Sequence, residues 1–309
     1  MSKNSKLKIY ITLFFVMITW GLNVIATKLL VTSFMPVTMT AFRIFTAAVG
    51  VFFILFYLGL LKKPTKNQFL YMILCSLFNV VGHHYFLSVG LKETSASNGG
   101  LILGMGPILT TIFAIFLLNY KVTVLRFVGI MFGFIGIFFI IFQSGNGLQA
   151  ISLGDFHVFL SIFLQAISFI MIKKISGTLD PRLMTGYMLL FGSVILFAIS
   201  LIVEPNGLQS MGNGSVGIWL LFFASAFLAT SVGHMIYNYA IGKVGPSESA
   251  IFINLNPFFA LVGAALFLGE VISLPQVLGF IFIIFGVVLG SGGFEELVRY
   301  RKGKQKYVA

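Results

Sequence analysis

The chain has 309 residues, of which 58% are hydrophobic and only 9% are charged, and Phe alone occurs 36 times. A soluble domain could not cover so much apolar surface with polar side chains, so the composition excludes an ordinary soluble protein and indicates an integral membrane protein. The net charge of +12 could suggest nucleic acid, but its placement along the chain points to membrane topology instead. A single cysteine, Cys75, leaves no disulfide within the chain.

Ten apolar segments, each near the length of about 20 residues that crosses a membrane, follow one another along the chain. Charged or turn-forming residues such as Lys62-Lys63-Pro64 separate them. The basic start resembles a signal peptide, but no small-residue cleavage site follows, so an uncleaved first span is expected. The sequence therefore predicts an all-α membrane protein with spans at 8–28, 37–61, 68–90, 95–118, 122–142, 156–174, 183–203, 216–240, 247–268 and 273–291.

The basic residues fall on alternate connections between these spans. With the amino terminus inside, seventeen Lys and Arg residues lie in predicted cytoplasmic segments, whereas only Lys28 and Lys92 lie outside. This asymmetry follows the positive-inside rule and predicts a multi-pass protein of the cell membrane with both termini cytoplasmic. The basic cluster at 299–306 is expected to set topology and to contact anionic lipids.

The chain also contains an internal repeat. Pro36-Val-Thr-Met-Thr aligns with Pro181-Arg-Leu-Met-Thr at a shift of 145 residues, and the later segments align at a shift of 150. Two halves of five spans, 1–147 and 148–309, would lie in the membrane with opposite orientations because five is an odd number. The pairs at the 150-residue shift are His84 with His234, Ser97 with Ser247, Pro107 with Pro257, Gly129 with Gly279, and Gly136 with Gly286.

These segments resemble a known family. The motifs WGLNVIATK, P(x)6R from Pro36 to Arg43, GPILTTIFAIFLLNYKV and NPFFALVGAALFLGEVISLPQVLGFIFIIFGV are similar to the EamA-like branch of the drug/metabolite transporter superfamily. The resemblance covers nearly the whole chain. It implies a secondary transporter with a central cavity between inverted halves, which moves amino acids or related small metabolites, often as an exporter.

Polar side chains within the spans are the candidates for substrate binding, because they are costly in hydrocarbon unless they face a cavity or another helix. The alternative is that they only form packing hydrogen bonds between helices, of about 0.6 kcal/mol each. The candidates are Trp20, Asn23, Asn79, His83, His84, Asn98, Gln165, His234, Tyr237, Asn238, Asn254 and Asn256.

Prolines interrupt the fourth and ninth spans. Pro107 lacks the backbone N–H that would bond four residues back, and Pro257 occupies the equivalent place after two asparagines. Such a helix break can expose backbone groups to a substrate, or it can be a simple kink that aids packing. Asn254 and Asn256 are two positions apart, so only one of them would face a cavity on a regular helix.

Arg43 is the charge farthest inside a span, about 10 Å from the start of span two. It could extend outward to lipid headgroups, or it could contact an anionic substrate group or a gate. Its repeat counterpart is Met188. No Asp or Glu lies in the middle of any span, which argues against a carboxylate proton relay and leaves a histidine relay open.

Other functional classes have less support in the sequence. A metal site at His83, His84 and His234 lacks carboxylate or cysteine ligands at usable spacing, and no catalytic constellation or cofactor motif indicates an enzyme. A channel or a sensory scaffold is the main alternative to a carrier. The expected partners are a small-molecule substrate and the lipid bilayer, without nucleic acid. Glycine stripes at 129–136 and 279–286 predict close helix contacts, either within one chain or in a homo-oligomer.

Overall fold

The computed structural model describes residues 3–120, 123–142, 152–269 and 271–290, and within them the regular elements are all helices. The basic cluster at 299–306 and the boundary between the two predicted halves, at residues 147 and 148, lie outside the described residues. The longer helices are α1 (Lys3–Ser33), α2 (Pro36–Tyr57), α3 (Lys66–Glu93), α4 (Ala96–Leu103), α5 (Gly106–Leu118), α6 (Val124–Phe142), α7 (Leu153–Ile175), α8 (Pro181–Val203), α9 (Val216–Val244), α10 (Pro246–Leu268) and α11 (Leu274–Gly290). A short helix, Gly207–Ser210, and a 3₁₀ turn, Met211–Asn213, lie between α8 and α9.

Length and composition make seven of these helices, α1 to α3 and α7 to α10, long and apolar enough to cross a membrane. Helices α5, α6 and α11 contain shorter apolar stretches among the described residues. Large hydrophobic side chains are exposed on the outer faces of the helices, for example Phe53 and Phe56 of α2 and Phe116 of α5. A fold that leaves so much apolar surface uncovered suits a lipid environment.

The predicted fourth span is two helices, because a turn at Gly104 and Met105 separates α4 from α5. Pro107 is the second residue of α5, where its missing N–H costs little. Around Pro257 the chain stays helical, but it tightens to a 3₁₀ segment over Ile251–Leu255. Both proline segments therefore depart from regular α geometry, by a turn in one case and by tighter winding in the other.

Two of the long helices contain π-helical segments, at Leu77–Gly82 in α3 and at Ser225–Gly233 in α9. A π segment is wider than an α-helix and rotates the side chains that follow it relative to those before. In α3 it ends immediately before His83, and in α9 it ends immediately before His234. Side chains beyond these segments cannot be assigned to a helix face from a 3.6-residue period.

Helices α6 and α11 pack closely through glycines. A β-carbon placed on Gly136 would lie 2.5 Å from the carbonyl oxygen of Gly279, and one placed on Gly286 would lie 2.8 Å from that of Gly129. Only glycine permits backbones to approach this far. The glycine stripes thus form close contacts within one chain.

Helices α2 and α8 pack through aromatic side chains at both ends of their contact. Phe52 meets Tyr187 edge to face at 5.2 Å between ring centroids, and Phe42 meets Phe197 edge to face at 5.6 Å. Edge-to-face pairs add about 0.5–1.5 kcal/mol beyond the area that they bury. These two ring pairs therefore help to hold α2 against α8.

Lysines from other helices cap two helix ends. The Lys28 ammonium donates to the carbonyl oxygens of Leu91, Lys92 and Thr94 at 2.8, 3.3 and 2.7 Å, at the end of α3. The Lys173 ammonium donates to the Gly242 carbonyl oxygen at 3.0 Å, near the end of α9. Carbonyls at a helix end lack partners within the helix and attract cations, so both contacts tie neighbouring helices together.

The start of α2 is capped from a distant part of the chain. Met35, which precedes the helix, provides no side-chain cap. The Glu204 carboxylate at the end of α8 instead accepts from the backbone N–H groups of Val37 and Thr38 at 3.0 and 2.8 Å. A carboxylate suits the partial positive charge of a helix N-terminus, so this contact fixes α2 against α8.

Candidate functional site

A small pocket lies where α1, α3, α4, α7, α9 and α10 meet. Its volume is about 50 Å³, enough for only a few water molecules at about 10–15 Å³ each. Residues from both halves of the chain line it, among them seven that the sequence nominated: Trp20, Asn23, His83, His84, Gln165, His234 and Asn256.

Trp20 forms one wall of this central pocket. Its indole N–H donates to the carbonyl oxygen of Ala229 at 2.8 Å. The ring lies 4.8 Å from that of His234 and 4.9 Å from that of Tyr237, centroid to centroid. Because both the polar and the apolar parts of the side chain are engaged, Trp20 is held in one orientation.

Three histidines meet at the pocket. His84 lies 4.6 Å from His83 and 5.3 Å from His234, between ring centroids. A regular α-helix would point adjacent histidines about 100° apart, but both His83 and His84 line the pocket directly after the π segment of α3. Neither ring nitrogen of His84 has a hydrogen-bond partner among the described residues, nor does Nδ1 of His234.

The other five nominated residues lie outside the pocket wall. Asn79 donates to the Ser168 hydroxyl at 2.7 Å, and Asn238 donates to the Thr185 hydroxyl at 2.9 Å, so both link neighbouring helices. Tyr237 is fully buried behind Trp20 and packs against Phe169. The remaining two are Asn98, half-buried at the start of α4, and Asn254, which is directed toward Gly133 of α6.

The two proline segments approach each other beside the pocket. A β-carbon placed on Gly100 of α4 would lie 2.5 Å from the β-carbon of Ala260 and 3.9 Å from Cα of Pro257. Leu103 from the first segment and Asn256 from the second reach the pocket. Pro107 and Pro257 are themselves buried and do not line it. Asn256, not Asn254, faces the pocket, and its Oδ1 atom has no partner among the described residues.

Arg43 is buried directly behind the pocket wall. Only 1% of the residue is exposed, and Nη1 donates to the hydroxyls of Ser225 and Thr230 at 3.2 and 2.8 Å. The hypothesis that this side chain extends outward to headgroups is therefore wrong. Ser225 in turn donates to Oδ1 of Asn23 at 2.5 Å. Thr230 and Asn23 both line the pocket, so the guanidinium is one residue away from it.

Thr230 and Ser225, the hydroxyl partners of Arg43, are residues of this site that the sequence interpretation did not nominate. The signal was present, because a guanidinium within a span requires hydrogen-bond acceptors and α9 carries three hydroxyl residues near its centre. The period of a regular helix could not show which of these hydroxyls face α2. The π segment Ser225–Gly233 determines that, and it is visible only in three dimensions.

A larger cleft of about 680 Å³ lies elsewhere, between the start of α1 and the ends of α2 and α9. Basic side chains at its rim include Lys8, Arg182 and Lys243. Arg182 pairs with Asp180 at 2.7 Å. Partial burial raises the pKa of Asp180, but hydrogen bonds and charge from Arg182 outweigh it and lower the pKa below its ordinary value. The cleft is larger than the central pocket, but it shares none of the pocket's lining residues.

Within the described ranges, no group of three or more histidine, cysteine or acidic side chains is arranged to hold a metal ion. His84 and His234 have ring nitrogens without a hydrogen-bond partner among the described residues, whereas Nδ1 of His83 lies 3.3 Å from the Ser161 carbonyl oxygen.

Comparison with known proteins agrees with this architecture. The EamA-like transporter family matches residues 7–142 and residues 152–292. The uncharacterized transporter YyaM of Bacillus subtilis (strain 168) is 29% identical over 290 residues, which cover 93% of this chain and 94% of that protein. The WAT1-related protein At3g02690, chloroplastic, of Arabidopsis thaliana is 26% identical over 268 residues, which cover 84% of this chain and 64% of the relative.

A solved crystal structure matches with a TM-score of 0.71 at 15% identity, and the match covers 91% of this chain and 95% of the other. At that identity the similarity shows a shared fold. The apolar helices and the relatives together identify a multi-pass membrane protein whose named relatives are transporters rather than enzymes. This chain belongs to the EamA-like transporter family.

Proposed function

We propose that the protein is a secondary transporter that exports small metabolites, amino acids or related compounds, by alternating access around the central pocket. The observation that carries the proposal is the pocket itself, which receives polar side chains from both halves of the chain. Its volume of about 50 Å³ holds only a few waters, so a metabolite enters only when helices move apart. Export is the direction that the family resemblance implies.

The proposal includes two inverted halves, 1–147 and 148–309, with five spans each. Reciprocal contacts support it. At the 150-residue shift, Gly136 corresponds to Gly286 and Gly129 corresponds to Gly279. The contact of Gly136 with Gly279 therefore has a counterpart in the contact of Gly286 with Gly129. Such reciprocal contacts are expected when a two-fold axis relates equivalent segments.

One further contact between the halves exchanges in the same way, and one contact within the first half is repeated within the second. At the 145-residue shift, the pair Phe42–Phe197 becomes the pair Tyr187–Phe52, and both pairs meet edge to face. Lys28 likewise corresponds to Lys173, and each caps the third long helix of its own half. The family's separate matches to residues 7–142 and 152–292 also support duplication. Halves with an odd number of spans then face opposite leaflets.

Alternating access also needs a closing contact on each side of the pocket. At the start of α1, the Tyr10 hydroxyl donates to the Glu248 carboxylate of α10. At the end of α3, the Thr94 hydroxyl donates to the Asp155 carboxylate of α7 at 2.5 Å. In the proposed topology, with both termini cytoplasmic in the cell membrane, Tyr10–Glu248 closes the cytoplasmic side and Thr94–Asp155 closes the outer side.

Flux measurement tests transport directly. Proteoliposomes that contain the protein should take up labelled amino acids or related metabolites and should accelerate their exchange when unlabelled compound is present on the opposite side. Orientation-controlled vesicles measure direction. Absence of substrate-dependent flux across a broad panel would refute the carrier, and single-channel conductance would replace it with the channel alternative.

Cysteine accessibility tests the alternating mechanism. With Cys75 replaced by Ser, the repeat-equivalent buried residues Ser97 and Ser247 can each be changed to Cys as reporters. Tyr10→Phe should increase the labelling of the cysteine at position 247 and decrease the labelling of the cysteine at position 97. Thr94→Val should have the opposite effect on both reporters. A cysteine at Gly177, where added atoms meet nothing within 4 Å, provides the control. Parallel changes at both reporters would indicate loosening of the fold and contradict reciprocal gating.

A further inference from the structure

Arg43 is a buried cation for which the described part of the chain supplies no negative charge. We propose that the central pocket binds an organic anion that carries a carboxylate, and that this carboxylate is the counter-charge of Arg43. The inference rests on the proposed function and narrows its substrate class: a net anion is favoured over a zwitterionic amino acid or a neutral compound.

An unpaired charge inside a protein is expensive, so buried arginines normally pair with a carboxylate. Arg43 is 1% exposed, and Nη1 is bonded only to two neutral hydroxyls. Its Nε atom has no partner among the described residues. Hydroxyl groups satisfy geometry but do not neutralise the charge, so the site retains a positive potential.

The carboxylates of the described ranges are all engaged elsewhere. None of their partners belongs to the Arg43 cluster, which we define as Arg43, Asn23, Ser225 and Thr230. These carboxylates and their partners are Glu93 with His157, Asp155 with Thr94, Asp180 with Arg182, Glu204 with the start of α2, and Glu248 with Tyr10.

The Arg43 cluster connects the guanidinium to the wall of the pocket. Arg43 donates to Thr230 at 2.8 Å, and Thr230 lines the pocket. Asn23, the other lining residue of the cluster, uses Oδ1 to accept from Ser225 at 2.5 Å. The acceptor of the Asn23 amide is thus occupied, whereas its amide nitrogen has only a long 3.5 Å contact with Thr27. An anion in the pocket would meet this N–H donor in front of a guanidinium.

The rest of the pocket also offers donors to an anion. The His84 ring carries at least one N–H in either protonation state, and neither of its ring nitrogens has a partner among the described residues. An ammonium group would find only neutral acceptors such as Gln165 and Asn256 in the described wall, and no carboxylate. Met188, the repeat counterpart of Arg43, is uncharged and buried. The pocket therefore provides one positive centre, which fits one carboxylate.

Ligand triads with a shared carbon skeleton test the inference. Each triad contains a carboxylate, its primary amide and the matching amino acid: acetate, acetamide and glycine; propionate, propionamide and alanine; 3-phenylpropionate, 3-phenylpropanamide and phenylalanine. Binding is followed by the fluorescence of Trp20 in the pocket, after Trp219→Phe removes the other tryptophan. We expect the carboxylate of at least one triad to bind about tenfold or more tightly than its amide, because charge interactions are weakly screened in a dry interior.

Variants of the cluster separate charge from structure. Arg43→Gln should abolish the preference for carboxylate over amide, whereas Arg43→Lys should retain it. Ser225→Asp would place a carboxylate beside Nη1, so it should abolish the preference and raise the melting temperature. The aspartate variant and the wild-type triads decide the matter even if Arg43→Gln does not fold.

Equal binding of carboxylate and amide by the wild type, or no response to any carboxylate up to the millimolar range, would overturn the inference. A preference that persists in Ser225→Asp or in a folded Arg43→Gln would also overturn it. Flux without a carboxylate preference would agree with the proposed transporter and would refute the anion site. Carboxylate binding without flux would keep the anion site and refute transport.

Discussion

Gly233 lies against the indole of Trp20, and its replacement provides a direct test of how the pocket is held together. A β-carbon at this position would lie 2.6 Å from Nε1 of Trp20, whereas ordinary contact begins near 3.4 Å. The indole would have to withdraw by about 0.8 Å from a place fixed by its hydrogen bond to Ala229 and by two flanking rings.

The magnitude for Gly233→Ala follows from three terms. Overpacking costs about 1–3 kcal/mol. Loss of the indole hydrogen bond costs about 0.5–1.5 kcal/mol. Replacement of glycine by alanine in a helix gives back about 1 kcal/mol. We therefore expect a net destabilisation of about 0.5–3.5 kcal/mol. Flux should fall by about tenfold for each 1.4 kcal/mol lost in the transport-competent pocket.

The assay is denaturant unfolding in mixed micelles, followed by Trp20 fluorescence in the Trp219→Phe background, together with flux in proteoliposomes. Gly217→Ala on the same helix is the matched control, because its β-carbon meets only the Ser215 hydroxyl, at 3.9 Å. That variant should be neutral or slightly stabilised. A Gly233→Ala protein with the stability, emission and flux of the control would refute the packing described for Trp20.

Two further predictions concern the scaffold. Gly136→Ala should destabilise the protein by about 1–3 kcal/mol, because the new β-carbon would lie 2.5 Å from the Gly279 carbonyl oxygen. The control Gly133→Ala, whose β-carbon would lie 3.7 Å from its nearest neighbour, should unfold like the wild type. Equal unfolding midpoints for the two variants would contradict the α6–α11 contact. Lys28→Met should lower the free energy of unfolding by about 1.5–3 kcal/mol, because charged hydrogen bonds to the end of α3 are lost. Lys92→Met, at an exposed lysine, should leave the stability unchanged. Thermal unfolding in detergent measures both variants, and an unchanged Lys28 variant would refute the importance of the cap.

The helices and many pocket residues could be predicted from the sequence because the information is local. Apolar runs of about 20 residues place most of the helices, and the proline segment at Gly106-Pro107 marks the break between α4 and α5. Polar residues within apolar runs must avoid lipid, so nominating Asn23 and His234 needed no tertiary information. Family membership likewise followed from short motifs spread over nearly the whole chain.

What the polar residues contact was decided only by tertiary structure. Asn79 and Asn238 match the same sequence criteria as Asn23, yet they bond to hydroxyls on neighbouring helices. The π segment before His83 changes its direction, which a 3.6-residue period cannot anticipate. Arg43 bonds to Ser225 and Thr230, which lie more than 180 residues later in the chain, because α2 packs against α9. Hydrophobic pattern encodes where each helix lies in the chain, whereas helix crossing and local winding determine which side chains share a pocket.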